Sequence, residues 1–550
     1  MSSVFRFFNT KGAEVHRGMN SKHDIVIIGG GHNGLITAFY LAKAGLKPLV
    51  LERNAQVGGA AITDEFHPGF RVSTLSHSAG PILPAVVSDM ELEKHGARFI
   101  RPEVCVTALS PDGRALSLYQ DENESAQAIS AFSQKDAAKY PEFAKSLGKI
   151  SKVIAEVLAT TPPDIDHPDG ADLWSMLKTG RSLRNLGKRN MYRVLRWGPM
   201  AVADLVAEYF ETELLRAVLA ARGIFGTFLG PWSAGSGLQL LIRAAGDPHP
   251  AGSAFYVAGG TGALTQAMAA AAQAAGAEIR TSAEVIEIRV KDGGATGVLL
   301  STGEEINAKA VISNADPKRT LLKLTDPVHL SPDFVQKLQH YRGNGTVAKV
   351  NLALSGLPSF TALKNRDSGA LKGRIHVGHE IDYLERAFDD AKYGNFSRQP
   401  YLEVAIPSLT DPTLAPDGKH VMSIYMQYAP YKLKGGWDDR NGDSQRKALG
   451  QTVVQTLAQY APSLPEMILT HQIITPLDLE ENYGLTGGQI FHGDLALDQF
   501  FTMRPLLDWA RYRTPIENLY LCGSGTHPGA GLTGGSGANA AREILKVVKK

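Results

Sequence analysis

The sharpest pattern of apolar and polar positions lies at residues 24–53, "DIVIIGGGHNGLITAFYLAKAGLKPLVLER". The unbroken apolar run at 25–28 predicts a strand buried on both faces, since a half-exposed strand would alternate. Three glycines interrupt it. Leu35, Ala38, Phe39, Leu41 and Ala42 then recur at helical spacing, predicting a helix over about 33–44 that Gly45 ends. A second apolar run at 48–51 predicts another strand. The same succession closes the chain, where "IENLYLCGSGTHPGAGLTGGSGANAAREIL" at 516–545 reads as a strand, a glycine-rich loop and a helix from about Thr533. In the middle, a helix over 262–275 leads into alternating strands in "EIRTSAEVIEIRV" and "ATGVLLSTGEEINAKAVISNAD", with turns at 292–294 and 302–303. These stretches predict one α/β domain in three pieces, 23–105, 250–325 and 485–550. The insertions between them, 106–249 and 326–484, contain helix runs ("DLVAEYFETELLRAVLAARG") and strand runs ("TVAKVNLAL", "HVMSIYMQYAP") and predict an α+β substrate domain. Residues 1–22 precede the first strand and are expected to form a flexible leader; a targeting segment is the other reading.

The glycines carry chemistry because of their spacing. Gly29, Gly31 and Gly34 form G-x-G-x-x-G between a strand and a helix. Gly29 permits the tight turn, Gly31 lets backbone approach a pyrophosphate, and Gly34 lets the helix pack against the strand. The N-terminus of that helix offers free N–H groups to phosphate. Glu52 ends the second strand, about twenty positions on, where a carboxylate accepts hydrogen bonds from a ribose hydroxyl. Together they predict a dinucleotide site. The glycines do not distinguish flavin from nicotinamide. The pair Gly58 and Gly59 just after the acid suits a dinucleotide that continues past its pyrophosphate toward a bulky ring.

Composition narrows the class. A net charge of +2 argues against a general nucleic-acid binder, and 43% hydrophobic with 20% charged residues is ordinary for a globular chain. Only Cys105 and Cys522 occur, far apart, which excludes a disulfide scaffold and C-x-x-C dithiol chemistry and favours a reducing compartment. Both read as buried small hydrophobes. The histidines show no metal-ligand spacing, so no metal is predicted. No G-x-S-x-G elbow or other nucleophile signature is present.

The stretches "IGGGHNGL" (28–35), "ERNAQVGGAAITDEFHPGFRVS" (52–73), "YVAGGTGALTQAMAAAAQAAGAEIRTSAEVIEI" (256–288) and "LYLCGSGTHPGAG" (519–531) carry a family resemblance. The chain resembles FAD-dependent oxidoreductases of the phytoene desaturase and carotenoid isomerase group, in the amine-oxidase-like superfamily. Within it the chain is most similar to the branch named for a pyridine nucleotide-disulphide oxidoreductase domain. The resemblance implies a Rossmann-like FAD-binding domain of glutathione-reductase-like fold with the substrate domain inserted, and non-covalent FAD. It also implies roles: Glu52 on the adenosine ribose; Gly29, Gly31 and Gly34 on the pyrophosphate; Arg53, Gly59 and Ala60 along the route to the flavin; Val285 on adenine through its backbone; Gly523 and Thr533 near the ribityl chain and the pyrimidine side of the ring. Many flavoproteins of this fold carry Gly-Asp in the last motif. Here the pair is Gly523-Ser524, as the carotenoid desaturases also commonly lack the acid.

Other stretches admit two readings each. The segment 177–197, "LKTGRSLRNLGKRNMYRVLRW", holds seven basic residues and no acid among apolar ones. It reads as a peripheral contact with anionic membrane or as a solvated basic helix. The run 223–241, "GIFGTFLGPWSAGSGLQLL", reads as a hydrocarbon tunnel or as core packing by Phe225, Phe228 and Trp232. His77, His492 and His527 fall near the motifs, His527 reading as a general acid or base or as a hydrogen-bonding loop residue. Arg504 reads as a group that orients flavin or substrate, or as the partner of Asp508. The function expected is flavin-dependent desaturation or isomerisation of an apolar, unsaturated small molecule held in a long apolar pocket that opens near 177–197. A flavin amine oxidase, and a flavin-bearing regulatory or interaction protein, remain the alternatives. No catalytic residue is assigned. The expected location is cytoplasmic and membrane-peripheral, or mitochondrial for a eukaryotic chain.

Overall fold

The computed structural model describes residues 23–165, 167–364, 368–437, 444–529 and 531–548. The expected leader, 1–22, lies outside them. The first apolar run forms the strand Ile25–Ile28, at the centre of a five-stranded parallel sheet. Its neighbours are Pro48–Leu51, then Glu278–Arg280, on one side, and Ala310–Ser313, then Leu519–Leu521, on the other. The sheet therefore draws on all three separated pieces of sequence.

The lack of alternation in the first strand has a direct cause. Ile25 and Ile27 pack under the helices His32–Lys43, Gly260–Ala274 and Gly535–Val548. Val26 and Ile28 pack on the opposite face, against the three-stranded antiparallel sheet Val285–Lys291, Gly294–Leu300 and Glu305–Asn307. With both faces covered, every position must be apolar. The turn at 292–294 forms as expected, with Asp292 and Gly293 both at positive φ (50° and 83°).

The insertions build a second, seven-stranded mixed sheet in the order Ile468–Ile474, Val347–Leu354, His420–Gln427, Tyr401–Ala405, Arg374–Val377, Val104–Leu109, Ala115–Tyr119. The strand Val104–Leu109 runs across the expected boundary at 105/106 and pairs parallel with Arg374–Val377. Helices Gln134–Leu158, Glu213–Ile224 and Ser236–Gly246 share a core with one face of this sheet. The whole is an α/β architecture with an α+β insertion. Among the described residues no helix is long and apolar enough to cross a membrane.

The basic segment forms parts of two helices, Gly170–Asn185 and Gly187–Trp197, divided where Gly187 adopts φ 74°. Arg189 and Arg193 reach Glu142, and Arg196 pairs with Glu208. Part of its positive charge is thus answered by acids outside the segment.

Candidate functional site

A cavity of about 570 Å³ opens beyond the carboxyl ends of the parallel strands and extends to the insertion sheet. That end of a parallel sheet is where such folds place ligands, because the strand ends fan into loops and helix N-termini there.

Gly29 leaves its strand at φ 93°, a conformation that disfavours any side chain. Gly31 caps the helix His32–Lys43, and a Cβ on it would stand 2.7 Å from Asn314 Nδ2. Gly34 is a packing residue: its Cβ would lie 2.3 Å from Gly29 O. Glu52 is buried, accepting from Gly30 N through Oε2 at 2.8 Å and from Asn54 N through Oε1 at 2.9 Å. These two bonds fix the carboxylate at the cavity wall and leave each oxygen a lone pair for a ribose hydroxyl. Gly58 N donates to Gly30 O at 2.9 Å, which folds the second glycine pair back on the first.

Gly29, Gly31, Glu52, Arg53, Gly59, Ala60 and Val285 all line the cavity. Gly34, Gly523 and Thr533 stand behind its wall. Gly523 is pressed against Asn314, whose carbonyl oxygen a Cβ would meet at 2.5 Å, and Thr533 Oγ1 accepts from Gly535 N at 3.2 Å. Ser524, Gly531 and Leu532 take the wall positions instead. The last helix starts at Gly535, two residues later than expected. Arg53 crosses toward the insertion, donating to the carbonyls of Glu481 (3.3 Å) and Asn482. Asn33, which donates to Ser524 Oγ at 3.1 Å, joins the first and last motifs.

The insertion side departs from the long apolar pocket expected. Phe225, Tyr425, Leu485, Ile490 and Phe491 supply apolar wall, but Arg222, Arg243, Arg374, His376, Glu403 and His77 share it, and no residue of 177–197 is part of it. Phe228 packs on Phe388 and Trp232 is half exposed, so the run 223–241 contributes chiefly Phe225.

Four buried groups form a chain. Lys349 Nζ lies 3.1 Å from His77 Nδ1, His77 Nε2 lies 3.2 Å from Glu403 Oε1, and Arg374 Nη1 donates to Glu403 Oε2 at 2.8 Å. Burial holds the Lys349 ammonium well below its usual pKa. Burial, with the neighbouring Lys349, lowers His77 to about 4. Burial works to raise Glu403, but the Arg374 guanidinium outweighs it and the carboxyl stays well below the usual range. These partners assign His77 the tautomer with the proton on Nε2, facing the carboxylate. Motif reading does not find this chain. One signal for it is present: a lysine inside the apolar run "TVAKVNLAL" must be buried on a covered strand.

Arg504 does neither thing expected of it. It is fully buried and donates to the carbonyls of Phe491 (2.8 Å), Asp494 (3.0 Å), Gln499 (3.3 Å) and Ser524 (2.7 Å), binding the loop 491–499 to the last motif. His77 and His492 line the cavity, whereas His527 is buried behind it, edge-on to Phe501. Both cysteines are buried, and burial raises their thiols to about 11 and about 12, as expected of inert packing residues.

Residues 34–545 match the family model described as flavin containing amine oxidoreductase. The chain belongs to that family. It is 36% identical over 556 residues to pyridine nucleotide-disulfide oxidoreductase domain-containing protein 2 of Rattus norvegicus, covering 96% of this chain and 94% of the relative. It is 28% identical to a limonene dehydrogenase polypeptide of Castellaniella defragrans (95% and 94% covered). With phytoene desaturase (lycopene-forming) of Pantoea ananas the identity is 26% (92% and 96% covered). Among solved structures, a putrescine oxidase variant superimposes with TM-score 0.59 at 16% identity, covering 96% of this chain and 99% of the other, a likeness of fold. The family resemblance read from the motifs is borne out, and FAD is the cofactor. The cradle fits it: Gly29 and Gly31 leave the cavity wall free of side chains, as a diphosphate requires, and Glu52 offers a fixed, buried carboxylate, as a ribose hydroxyl requires.

Gly31→Val and Glu52→Arg should each yield folded protein with reduced flavin content, each lost charge-assisted hydrogen bond costing about 1.5–3 kcal/mol. Flavin-to-protein absorbance ratios of the purified variants measure this, and wild-type occupancy in both would contradict the placement. A second expectation concerns acid. Burial lowers His32, His77, His249 and His376 to about 4 and His527 to about 3. An unfolded histidine titrates near 6.5, so between these values the unfolded chain binds more protons and stability rises with pH. The urea midpoint should hold above pH 7 and fall steeply from about pH 6.5 to 4, each histidine adding about 1.4 kcal/mol per pH unit. A flat profile down to pH 4.5 would show these rings protonated or exposed in the native state.

Proposed function

We propose that this FAD-dependent oxidoreductase acts on an apolar, unsaturated small molecule, either removing hydride and a proton from its carbon skeleton to desaturate it or removing and returning them to isomerise it. The observation that carries the reading is the continuity of one cavity from the dinucleotide cradle to a chamber walled by Phe225, Tyr425 and Phe491. Two relatives named for dehydrogenation of limonene and desaturation of phytoene support it. When bound, FAD supplies the hydride acceptor. This chain supplies the rest. Gly31, Asn33 and Ser524 hold the diphosphate and Glu52 the ribose. Tyr425 and Phe225 meet edge-on at 5.0 Å and exclude water from the face of the substrate. Neutral His77 is the titratable group set to take or pass the proton that leaves with the hydride, through its contacts with Lys349 and Glu403. The cofactor is held without a covalent bond, a reading supported by the absence of both cysteines from the cavity lining.

One observation favours the amine-oxidase alternative. The buried Lys349 stands 3.9 Å over the ring of Tyr425, beside the aromatic wall, and members of this family oxidise amines. Anaerobic mixing of the yellow holoprotein with a polyene, a monoterpene and a primary amine separates the two. Bleaching of the visible flavin band by an unsaturated carbon skeleton, and not by the amine, is the expected result. Bleaching by the amine alone would reverse the assignment.

A peripheral membrane contact through the helices Gly170–Asn185 and Gly187–Trp197 is part of the same proposal. Trp174, Leu177 and Leu195 on them are 72%, 68% and 67% exposed, and Lys178, Arg181, Arg184 and Lys188 flank them. Apolar side chains surrounded by positive charge suit an anionic lipid surface, each lysine or arginine adding about 1 kcal/mol of attraction that fades with salt. The protein should co-sediment with phosphatidylserine-containing liposomes at low salt and less at high salt. Trp174→Glu with Leu177→Glu should abolish binding. Equal pelleting by wild type and variant would leave the segment an ordinary solvated face.

A further inference from the structure

Three guanidinium groups stand on the insertion side of the cavity, and they are not equally satisfied. Arg374 donates to Glu403 Oε2 and to the carbonyls of Ala251 and Gly252, both at 2.6 Å. Arg222 donates to the carbonyls of Asp247 (3.0 Å), His249 (2.5 Å) and Pro250 (3.0 Å), beside the Asp247 carboxylate. Arg243 makes a single hydrogen bond among the described residues, from Nη2 to Phe225 O at 2.7 Å. Its Nε is buried without an acceptor, and no carboxylate lies within ion-pair distance among the described residues. Its plane lies over two aromatic rings, 5.1 Å from Phe225 and 5.3 Å from Phe491, which form the apolar wall. Two carboxylates, Asp247 and Glu403, therefore face three guanidinium groups, and burial disfavours the charged forms of Lys349 and His77 beside them. Arg101, on the exposed rim above Phe255, adds positive charge at the entrance.

A half-buried cation that makes one hydrogen bond and keeps a buried Nε without an acceptor is poorly solvated unless an anion completes it. Among the described residues none does so. The cofactor's phosphates belong at the glycine turns of the other domain. What remains is the occupant of the chamber.

We infer that Arg243 anchors the carboxylate of the substrate, so that the molecule taken is a carboxylic acid with an apolar body seated between Phe225, Phe491 and Tyr425. Among the described residues Arg243 is the one of the three guanidinium groups without a carboxylate partner, which matches a monoanion, and the planar fork of an arginine matches the two oxygens of a carboxylate. The inference rests on the oxidoreductase reading above and narrows its substrate class. It also makes the chamber unfavourable to a primary ammonium.

The test uses the purified holoprotein and three probes of one chain length: octanoate, 1-octanol and octylamine. Binding is read twice, by perturbation of the flavin spectrum and by the shift in thermal unfolding. Octanoate should bind at least tenfold more tightly than octanol, and octylamine more weakly than either. Arg243→Met should bring octanoate and octanol level, and Arg243→Lys should keep part of the difference. Equal binding of octanoate and octanol by wild type would overturn the inference, as would a preference for octanoate that survives in Arg243→Met. Should Arg243→Met fail to fold, the wild-type comparison and Arg243→Lys still decide. A colourless protein would refute the flavin placement instead, and the thermal readout would still decide Arg243.

Discussion

Gly34 lies so close to Gly29 that no side chain fits between them, a Cβ there falling 2.3 Å from the Gly29 carbonyl. The rest of the site depends on this approach. It seats the helix His32–Lys43 directly over the end of the first strand and aims its N-terminus at the cavity. The last helix meets it at the same level: a Cβ on Gly537 would stand 2.4 Å from Asn33 O, and Thr37 Oγ1 donates to Gly537 O. Helices from opposite ends of the chain thus bring their N-terminal ends together. Each exposes backbone N–H groups and the positive end of its dipole toward one space. An anionic linkage is the ligand that this arrangement stabilises.

Around that contact the loops hold one another rather than relying on core packing. The Glu52 carboxylate accepts the N–H of Gly30, Gly58 N binds Gly30 O, and Asn33 reaches Ser524. Arg504 extends the same logic outward, since one buried guanidinium ties five carbonyls of two loops, those of Phe491, Gly493, Asp494, Gln499 and Ser524. A cation can remain buried there because several carbonyl dipoles replace its water. The position would not tolerate lysine, whose compact ammonium lacks the planar reach.

How much of this is legible in the sequence follows from how local each feature is. The strand, glycine turn, helix and acid occupy thirty consecutive residues, and each imposes its own residue type, so the cradle can be read from 24–53. The final motif is equally local, although Ser524 replaces Gly523 at the wall because Gly523 is packed against Asn314. The chamber is different. His77, Arg243, Lys349, Arg374 and Glu403 come from five separate stretches: Lys349, Arg374 and Glu403 are set side by side by the pairing of the insertion strands, and a loop and a helix bring His77 and Arg243 to them. Lys349 stands opposite Tyr425 in that register, and Glu403 opposite both His376 and Tyr425. No spacing announces such a cluster, which is why an apolar pocket is the natural reading of "GIFGTFLGPWSAGSGLQLL". Arg189, Arg193 and Arg196 show the same limit: their acids, Glu142 and Glu208, lie outside the basic segment.

The distribution of charge in the chamber has a consequence for how a bound molecule lies. On the side of the insertion sheet, charges occur as an adjacent pair, Arg374 with Glu403, whose field largely cancels at a distance. Burial disfavours the charged form of Lys349, next in the chain, and lowers His77 to about 4. Arg243 keeps its charge, because a guanidinium loses its proton far less readily than an ammonium. The field in the chamber therefore runs from Arg243, across an aromatic wall, toward groups whose charged forms burial disfavours. A molecule with one anionic end has a single favourable orientation in such a field. Its apolar body then lies along Phe225 and Tyr425, toward the neutral His77. Orientation of this kind is what a hydride-transfer site must provide, since the reacting carbon has to be held at one place without a polar group beside it.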